Sequence, residues 1–252
     1  MTDTILYSCR DHIGHMVLNN PKRHNSLGIE QLDEIMARLT EIAADPSVRV
    51  LLVSGAGEKT FCAGASLHEL SDGQIGKEAF QEMTAQLAAM DIPTICAITG
   101  DVFGGGVELA VSCDFRIGVE GSRMQVPAAA IGLCYPSSGI ERFVRCLGPS
   151  LARRLLVAAE EFQATAMLEA GFLDHLVSRA DLDTFAYAYA THIAGLAPLA
   201  VSSMKQLLRD ASPIAIDASL ASALVTACLE SKDLKEGFAA KREKRMPRFE
   251  GQ

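Results

Sequence analysis

Apolar residues along the chain follow two periods, and the switches between them outline alternating strands and helices. The run "MVLN" at 16–19 reads as a short strand, closed by "NPKRHNS", a loop by composition. Ile29, Leu32, Ile35, Met36, Leu39, Ile42 and Ala43 then recur at helical spacing. Ser26 or Asn25 can cap that helix, and Asp45-Pro46 stops it. "VRVLLVSG" at 48–55 is continuously apolar and ends in glycine, the pattern of a strand buried on both faces. "GEKTFCAGASLHEL" at 57–70 reads as a loop turning into a short helix, and the polar stretch 71–76 as a mobile connection. A helix is expected over about 77–90, a strand over 93–99, a glycine run with its helix over 103–112, and a strand over 115–119. Helical spacing dominates from about residue 149, giving expected helices at 150–159, 163–171, 181–196, 198–210, 214–231 and 233–245. The strand-like "FLDHLV" at 172–177 interrupts them. Such an order predicts an α/β body followed by a helical appendage.

Composition narrows the class. With 49% hydrophobic and 21% charged residues, a chain of 252 residues can build a large core. Trp is absent, so that core is aliphatic and Ala-rich. A net charge of −8 disfavours a general nucleic-acid surface, which needs clustered Lys and Arg. The basic tail "KREKRMPR" at 241–248 is the local exception and reads as a solvated helix end. Seven cysteines, with no CxxC pair, suit small buried thiols in a reducing compartment, and a cytoplasmic protein is expected. Neither a leader-like start nor an apolar run of about 18 residues is seen, so no membrane association is expected. His12, His15, His24 and His68 lack metal-ligand spacing, and no metal is assigned. Ser137 and Ser138 do not form a GxSxG elbow.

The candidate chemistry lies in two glycine-containing turns. "FGGGVELAVSCD" at 103–114 runs three glycines into an apolar helix with Glu108 in its first turn. Unpaired N–H groups at a helix start point outward from a positive dipole end, a general site for an anion or oxyanion. Close packing of the turn against a neighbouring strand would call for the same glycines. "FCAGASLHEL" at 61–70 is a second turn of this kind. Two convergent N–H donors, one from each turn, would hold a developing oxyanion such as a thioester enolate. For Glu108 the helix dipole favours the carboxylate and desolvation favours the acid.

Five segments, in order and spanning nearly the whole chain, carry a resemblance: "NPKRHNSL", "FCAGASLHEL", "GGGVELAVSCDFRI", "LGPSLARRLLVAAEEFQATAMLEAGFLDHLV" and "KEGFAAKREKRMPRF". The chain resembles the crotonase superfamily, the enoyl-CoA hydratase/isomerase family. That likeness implies a spiral of strand–strand–helix turns over 1–195 and a C-terminal helical region over 196–252 that assembles homotrimers or hexamers. It implies an oxyanion hole from the Ala65 and Gly105 amides, with Glu108 as the first catalytic glutamate. Coenzyme A, as part of the substrate, would meet Arg23, Ala63, Ser66 and Leu67, and Lys244 would reach the CoA of an adjacent subunit. Relatives often have Phe three residues before that Lys, where this chain has Lys241.

The family's hydratases place a second glutamate in a Pro-Glu pair, where this chain reads Pro127-Ala128. One carboxylate must then take the proton of water and return it to the α-carbon. Isomerisation needs a single shuttling base, but the family's isomerases keep the missing glutamate. Decarboxylation of a malonyl-type thioester needs no strong base, because loss of CO2 itself creates the enolate. "IGLCYP" resembles a segment of methylmalonyl-CoA decarboxylase, which implies an active-site role for Tyr135; that enzyme has His where this chain has Ala65. A non-enzymatic alternative is an acyl-CoA-binding scaffold that has lost efficient chemistry.

Overall fold

The apolar run at 48–55 becomes strand β3 (Val50–Gly55), and all six of its residues are buried. Alternate side chains serve opposite faces. Val50 and Leu52 join Ile95, Ala97, Ile117 and Val119 beneath Leu182, Ala186, Ala190 and Ile193 of one helix, while Leu51 and Val53 are buried on the other face. Each such aliphatic side chain withdrawn from water contributes about 1.5–3 kcal/mol before entropy is counted. The computed structural model describes residues 3–73, 75, 78–210, 219, 222, 226, 227 and 229–247. Most of the helix expected over 214–231, together with Cys228 and Arg248, lies outside them.

The chain forms two compact units that interleave in sequence: Met1–Met124 with Phe162–Pro213, and Gln125–Glu161 with Ile214–Gln252. In the first unit, β1 (Ile5–Arg10) and β2 (Ile13–Leu18) form an antiparallel hairpin closed by Asp11 and His12, both at positive φ. The larger sheet has the order β1-β2-β3-β5-β7-β10, with β5 (Thr94–Ile98), β7 (Phe115–Val119) and β10 (His175–Val177), and is parallel from β2 onward. A smaller sheet has the order β4-β6-β8-β9, with β4 (Thr60–Cys62), β6 (Asp101–Phe103), β8 (Arg123–Gln125) and β9 (Phe162–Gln163). Successive pairs β3/β4, β5/β6 and β7/β8 give one strand to each sheet, which is the expected spiral.

Helices close this unit: α1 (Ile29–Ala44), α2 (Leu67–Ser71), α3 (Ala79–Ala88), α4 (Gly105–Val111), α6 (Ala164–Glu169), α7 (Leu182–Ala194) and α8 (Pro198–Asp210). Asp114 braces the start of β5. Its Oδ2 accepts bonds from Thr94 N at 2.7 Å, Thr94 Oγ1 at 3.0 Å and Lys205 Nζ of α8 at 2.7 Å.

The second unit corrects the sequence reading at α5 (Ser137–Leu156). The helix expected from 150 is the second of two pieces, and the first begins earlier, at Ser137. Ser137 and Ser138 open the helix behind Pro136, and Gly148, at φ 73, with Pro149 divides it into the two pieces. Glu141 is half-buried. The terminal helix Lys232–Glu243 is capped by Ser231, whose Oγ accepts from Leu234 N at 3.0 Å. Lys244 ends it at φ 56, and Arg245 folds back to bond Glu236 Oε2 at 2.8 Å.

One polar pair sits at the edge of the first unit's core. His15 Nε2 lies 2.8 Å from Ser54 Oγ. Burial pushes the imidazole below its ordinary pKa, partly offset by the Asp183 carboxylate. The unfolded chain therefore takes up this proton first as pH falls, beginning near the ordinary histidine value of about 6.5. The His15 contribution to stability is complete above that value and declines below it. Thermal unfolding of wild type and His15→Gln at about pH 8 and about pH 5.5 checks the sign, with the wild type expected to lose more on acidification.

Candidate active site

Asn25 builds the first turn of the site. It is buried, at φ 51, and its side-chain amide bonds Ala56 O at 3.0 Å, Thr60 O at 2.9 Å and Phe61 O at 3.0 Å. Its Oδ1 accepts from Asn20 N at 2.9 Å. The loop "NPKRHNS" is thereby tied to both ends of the 56–61 segment. The Cys62 thiol, pushed up to about 12 by burial, keeps its proton and donates to Asn25 O at 3.3 Å. Ala63 N then donates to His24 O at 3.0 Å.

This pairing sets the direction of the Ala65 amide. Leu27 N donates to Gly64 O and Ser66 N donates to Leu27 O, both at 2.8 Å. In a trans peptide the N–H points opposite to the carbonyl of the same unit. With Gly64 O facing Leu27, the Ala65 N–H faces away from it. Below the turn, Ser66 caps α2, and Glu69 Oε2 accepts from Ile29 N at 2.9 Å, which locks α2 to the start of α1.

The second turn opens α4. Gly104 adopts φ 53 and ψ −125, a conformation that L side chains rarely reach. Gly105 lies against the Phe80 ring of α3, and Gly106 against the Cys62 carbonyl of β4. The glycine run thus packs closely and also frees an amide, because the first N–H groups of a helix have no intrahelical acceptor. Gly64, at φ 81, meets this turn: a methyl group on it would overlap Gly105 N. Among the described residues, neither the Ala65 nor the Gly105 N–H donates to an internal acceptor.

Glu108 follows one turn later and is fully buried. Its Oε1 lies 3.1 Å from Thr84 Oγ1 of α3, so it is a packed side chain rather than a solvated cap. Arg23, Ala63, Ser66 and Leu67 come together in the first unit, on the paired segments 23–27 and 63–67, with Arg23 and Leu67 exposed. Tyr135 and Lys244 belong to the second unit. Tyr135 is buried and packs edge-on to Phe143 at 5.5 Å, and Ala128 is buried at the start of a short 3-10 turn, Ala129–Ile131. His68 points to solvent and pairs with Asp72 at 3.2 Å. Among the described residues, no group of His, Cys, Asp and Glu could hold a metal ion. Within the same residues, no helix is long and apolar enough to cross a membrane.

Two residues of the site escaped sequence reasoning. Asn25 looked like one more loop residue or a cap. Thr84 lies among Phe80, Met83 and Leu87 on the buried stripe of α3. A hydroxyl at a core position of an apolar stripe is the signal that could have found it, since buried polar groups have partners.

A family model described as enoyl-CoA hydratase/isomerase matches residues 9–252. The mitochondrial enoyl-CoA hydratase domain-containing protein 2 of Mus musculus is 33% identical over 95% of this chain and 84% of its own length. A short-chain-enoyl-CoA hydratase of Clostridium acetobutylicum is 31% identical over 91% of each chain. Among solved structures, methylmalonyl-CoA decarboxylase superposes with a TM-score of 0.90 at 27% identity, over 99% of both chains.

The contact between the two turns makes a specific prediction. Gly64→Ala introduces a methyl group that overlaps Gly105 N and strains a positive φ. Losing one of two oxyanion donors costs about 100- to 1,000-fold in turnover. A fall of that size is expected in this variant's thioester turnover, with circular dichroism still reporting a folded chain.

Proposed function

The chain belongs to the enoyl-CoA hydratase/isomerase family, and from that premise we propose that it hydrates or dehydrates an enoyl-CoA thioester through an enolate. The observation that carries this reading is the pair of uncommitted amides, Ala65 and Gly105, on turns in contact, with Glu108 buried in the same helix as one of them. In hydration, the thioester oxygen is held by the two N–H groups. Water oxygen adds to the β-carbon as Glu108 takes its proton, and the π electrons move onto the thioester oxygen. Glu108 then returns the proton to the α-carbon, so that one water is added and the carboxylate is regenerated. Dehydration is the reverse. The family resemblance puts Ala128 where its hydratases carry a second glutamate, and on this reading Glu108 serves both proton steps. Coenzyme A meets Arg23, Ala63, Ser66 and Leu67 as part of the substrate. Lys244 reaches the CoA of a neighbouring subunit in a homotrimer or dimer of trimers, in the cytoplasm.

A second reading, decarboxylation of a malonyl-type thioester, is favoured by the likeness to methylmalonyl-CoA decarboxylase and by the missing second acid. The C–C bond to the carboxylate breaks, CO2 leaves, its electron pair forms the enolate, and the α-carbon is then protonated with Tyr135 contributing.

Incubation with crotonyl-CoA, a 3-hydroxyacyl-CoA and methylmalonyl-CoA, followed by mass, separates these readings. Glu108→Gln is expected to lower hydration by at least about 100-fold. Hydration at the wild-type rate in that variant removes Glu108 from the mechanism. CO2 release lost only in Tyr135→Phe establishes the decarboxylase instead. Binding of CoA thioesters with no turnover of any of them leaves a scaffold.

A further inference from the structure

Thr84 stands where a partner for Glu108 would have to stand. Its Oγ1 lies 3.1 Å from each of three oxygens: Phe80 O, Gln81 O and Glu108 Oε1. A hydroxyl has one proton to give and two lone pairs with which to accept. From the placement of this hydroxyl between a carboxyl oxygen and two helix carbonyls, we propose that Thr84 is the positioning residue for Glu108, bonding its carboxyl group in both protonation states. The proposal rests on Glu108 being the proton carrier.

When Glu108 is a carboxylate, the Thr84 proton points to Oε1, because a charged acceptor outcompetes the two neutral carbonyls. When Glu108 has taken up a proton, that proton can sit on Oε1 and be donated to Thr84 Oγ1. The Thr84 proton then rotates to Phe80 O or Gln81 O. Neither state leaves lone pair facing lone pair. A backbone amide in this place would favour only the carboxylate, and a carbonyl only the acid. An acid that collects and returns a proton in one cycle, without a second carboxyl group to share the work, is best served by a partner that favours neither.

On the described elements packed most closely against α4, the titratable side chains include Glu82 of α3, Cys62 of β4 and Asp101 of β6. Glu82 is exposed, Cys62 keeps its proton, and Asp101 is held by Arg123 at 2.8 Å.

The test compares Thr84→Val, which keeps the shape and removes the hydroxyl, with Thr84→Ser and Glu108→Gln, reading kcat and KM for crotonyl-CoA hydration across pH. Thr84→Val is expected to lose about 10- to 100-fold in kcat with KM within about twofold, as a mispositioned group does. Thr84→Ser is expected to remain within about threefold of wild type. Because the hydroxyl serves both states, the acid limb of kcat in Thr84→Val should stay within about 0.3 pH unit of wild type. An upward displacement of that limb by about one unit means Thr84 serves the carboxylate alone, a downward one the acid alone, and either overturns the proposal. So does wild-type kcat in Thr84→Val while Glu108→Gln is inactive. Full activity in Glu108→Gln, or no wild-type hydration, sinks the reading of Glu108 itself. If the valine variant does not fold, Thr84→Ala reads the same outcomes.

Discussion

The structure of the site depends on one close approach, that of the Gly64–Ala65 turn to the Gly104–Gly106 turn. Two amides can share an oxygen only if their peptide planes come nearer than side chains ordinarily allow. The Cβ is discarded at Gly64 where the turns touch, and at Gly105 and Gly106 where the second turn packs against the Phe80 ring and the Cys62 carbonyl. The cost is conformational freedom in the unfolded chain. What offsets it is not local: the Asn25 amide, the Cys62 thiol and the Leu27–Ala65 bridge fix one turn, and the Phe80 ring with the β4 carbonyl of Cys62 fixes the other.

The spiral explains why these turns meet at all. Each circuit lays one strand in the large parallel sheet and the next in the small one, so β4 and β6 become parallel neighbours although about forty residues separate them. The turns that follow β4 and β6 are then adjacent by register, not by chance. Loops beyond the C-terminal ends of parallel strands are where open α/β sheets bind ligands. Asp114 extends the same logic to the outside, joining the starts of β5 and β7 to α8 through Thr94 and Lys205.

Much of this was legible in the residues, and the exceptions share a physical cause. Strand β7 begins and ends as the run "FRIGV" predicts, and the glycine run does open a buried helix. Elements whose burial comes from elsewhere in the chain were missed. Strand β1 is mostly exposed on its outer side, while β6, β8 and β9 have two or three residues each, too few for any period to show. The start of α5 was lost because Ser137, Ser138 and Gly139 have turn composition, yet Pro136 ahead of them makes a good helix entrance. Glu108 was found because a lone acid in an apolar helix stands out. Asn25 and Thr84 were not, because their partners lie about 31–36 and 24 residues away and nothing local marks them.

If Glu108 is the single proton carrier of the proposed reaction, its burial sets a geometric demand on the substrate. A carboxyl group fixed on α4, a helix of seven residues with six buried, cannot swing between two positions to serve two proton steps. Its reach is set by the helix and by α3 alongside. The substrate must instead present both of its reacting carbons to one stationary group, and this requires the thioester carbonyl to be pinned tightly enough that neither carbon drifts. The tighter the two amides hold the oxygen, the less a second carboxylate is needed to steer the water. Under the proposed hydration, orientation of the thioester by the backbone would carry work that a second carboxylate would otherwise share.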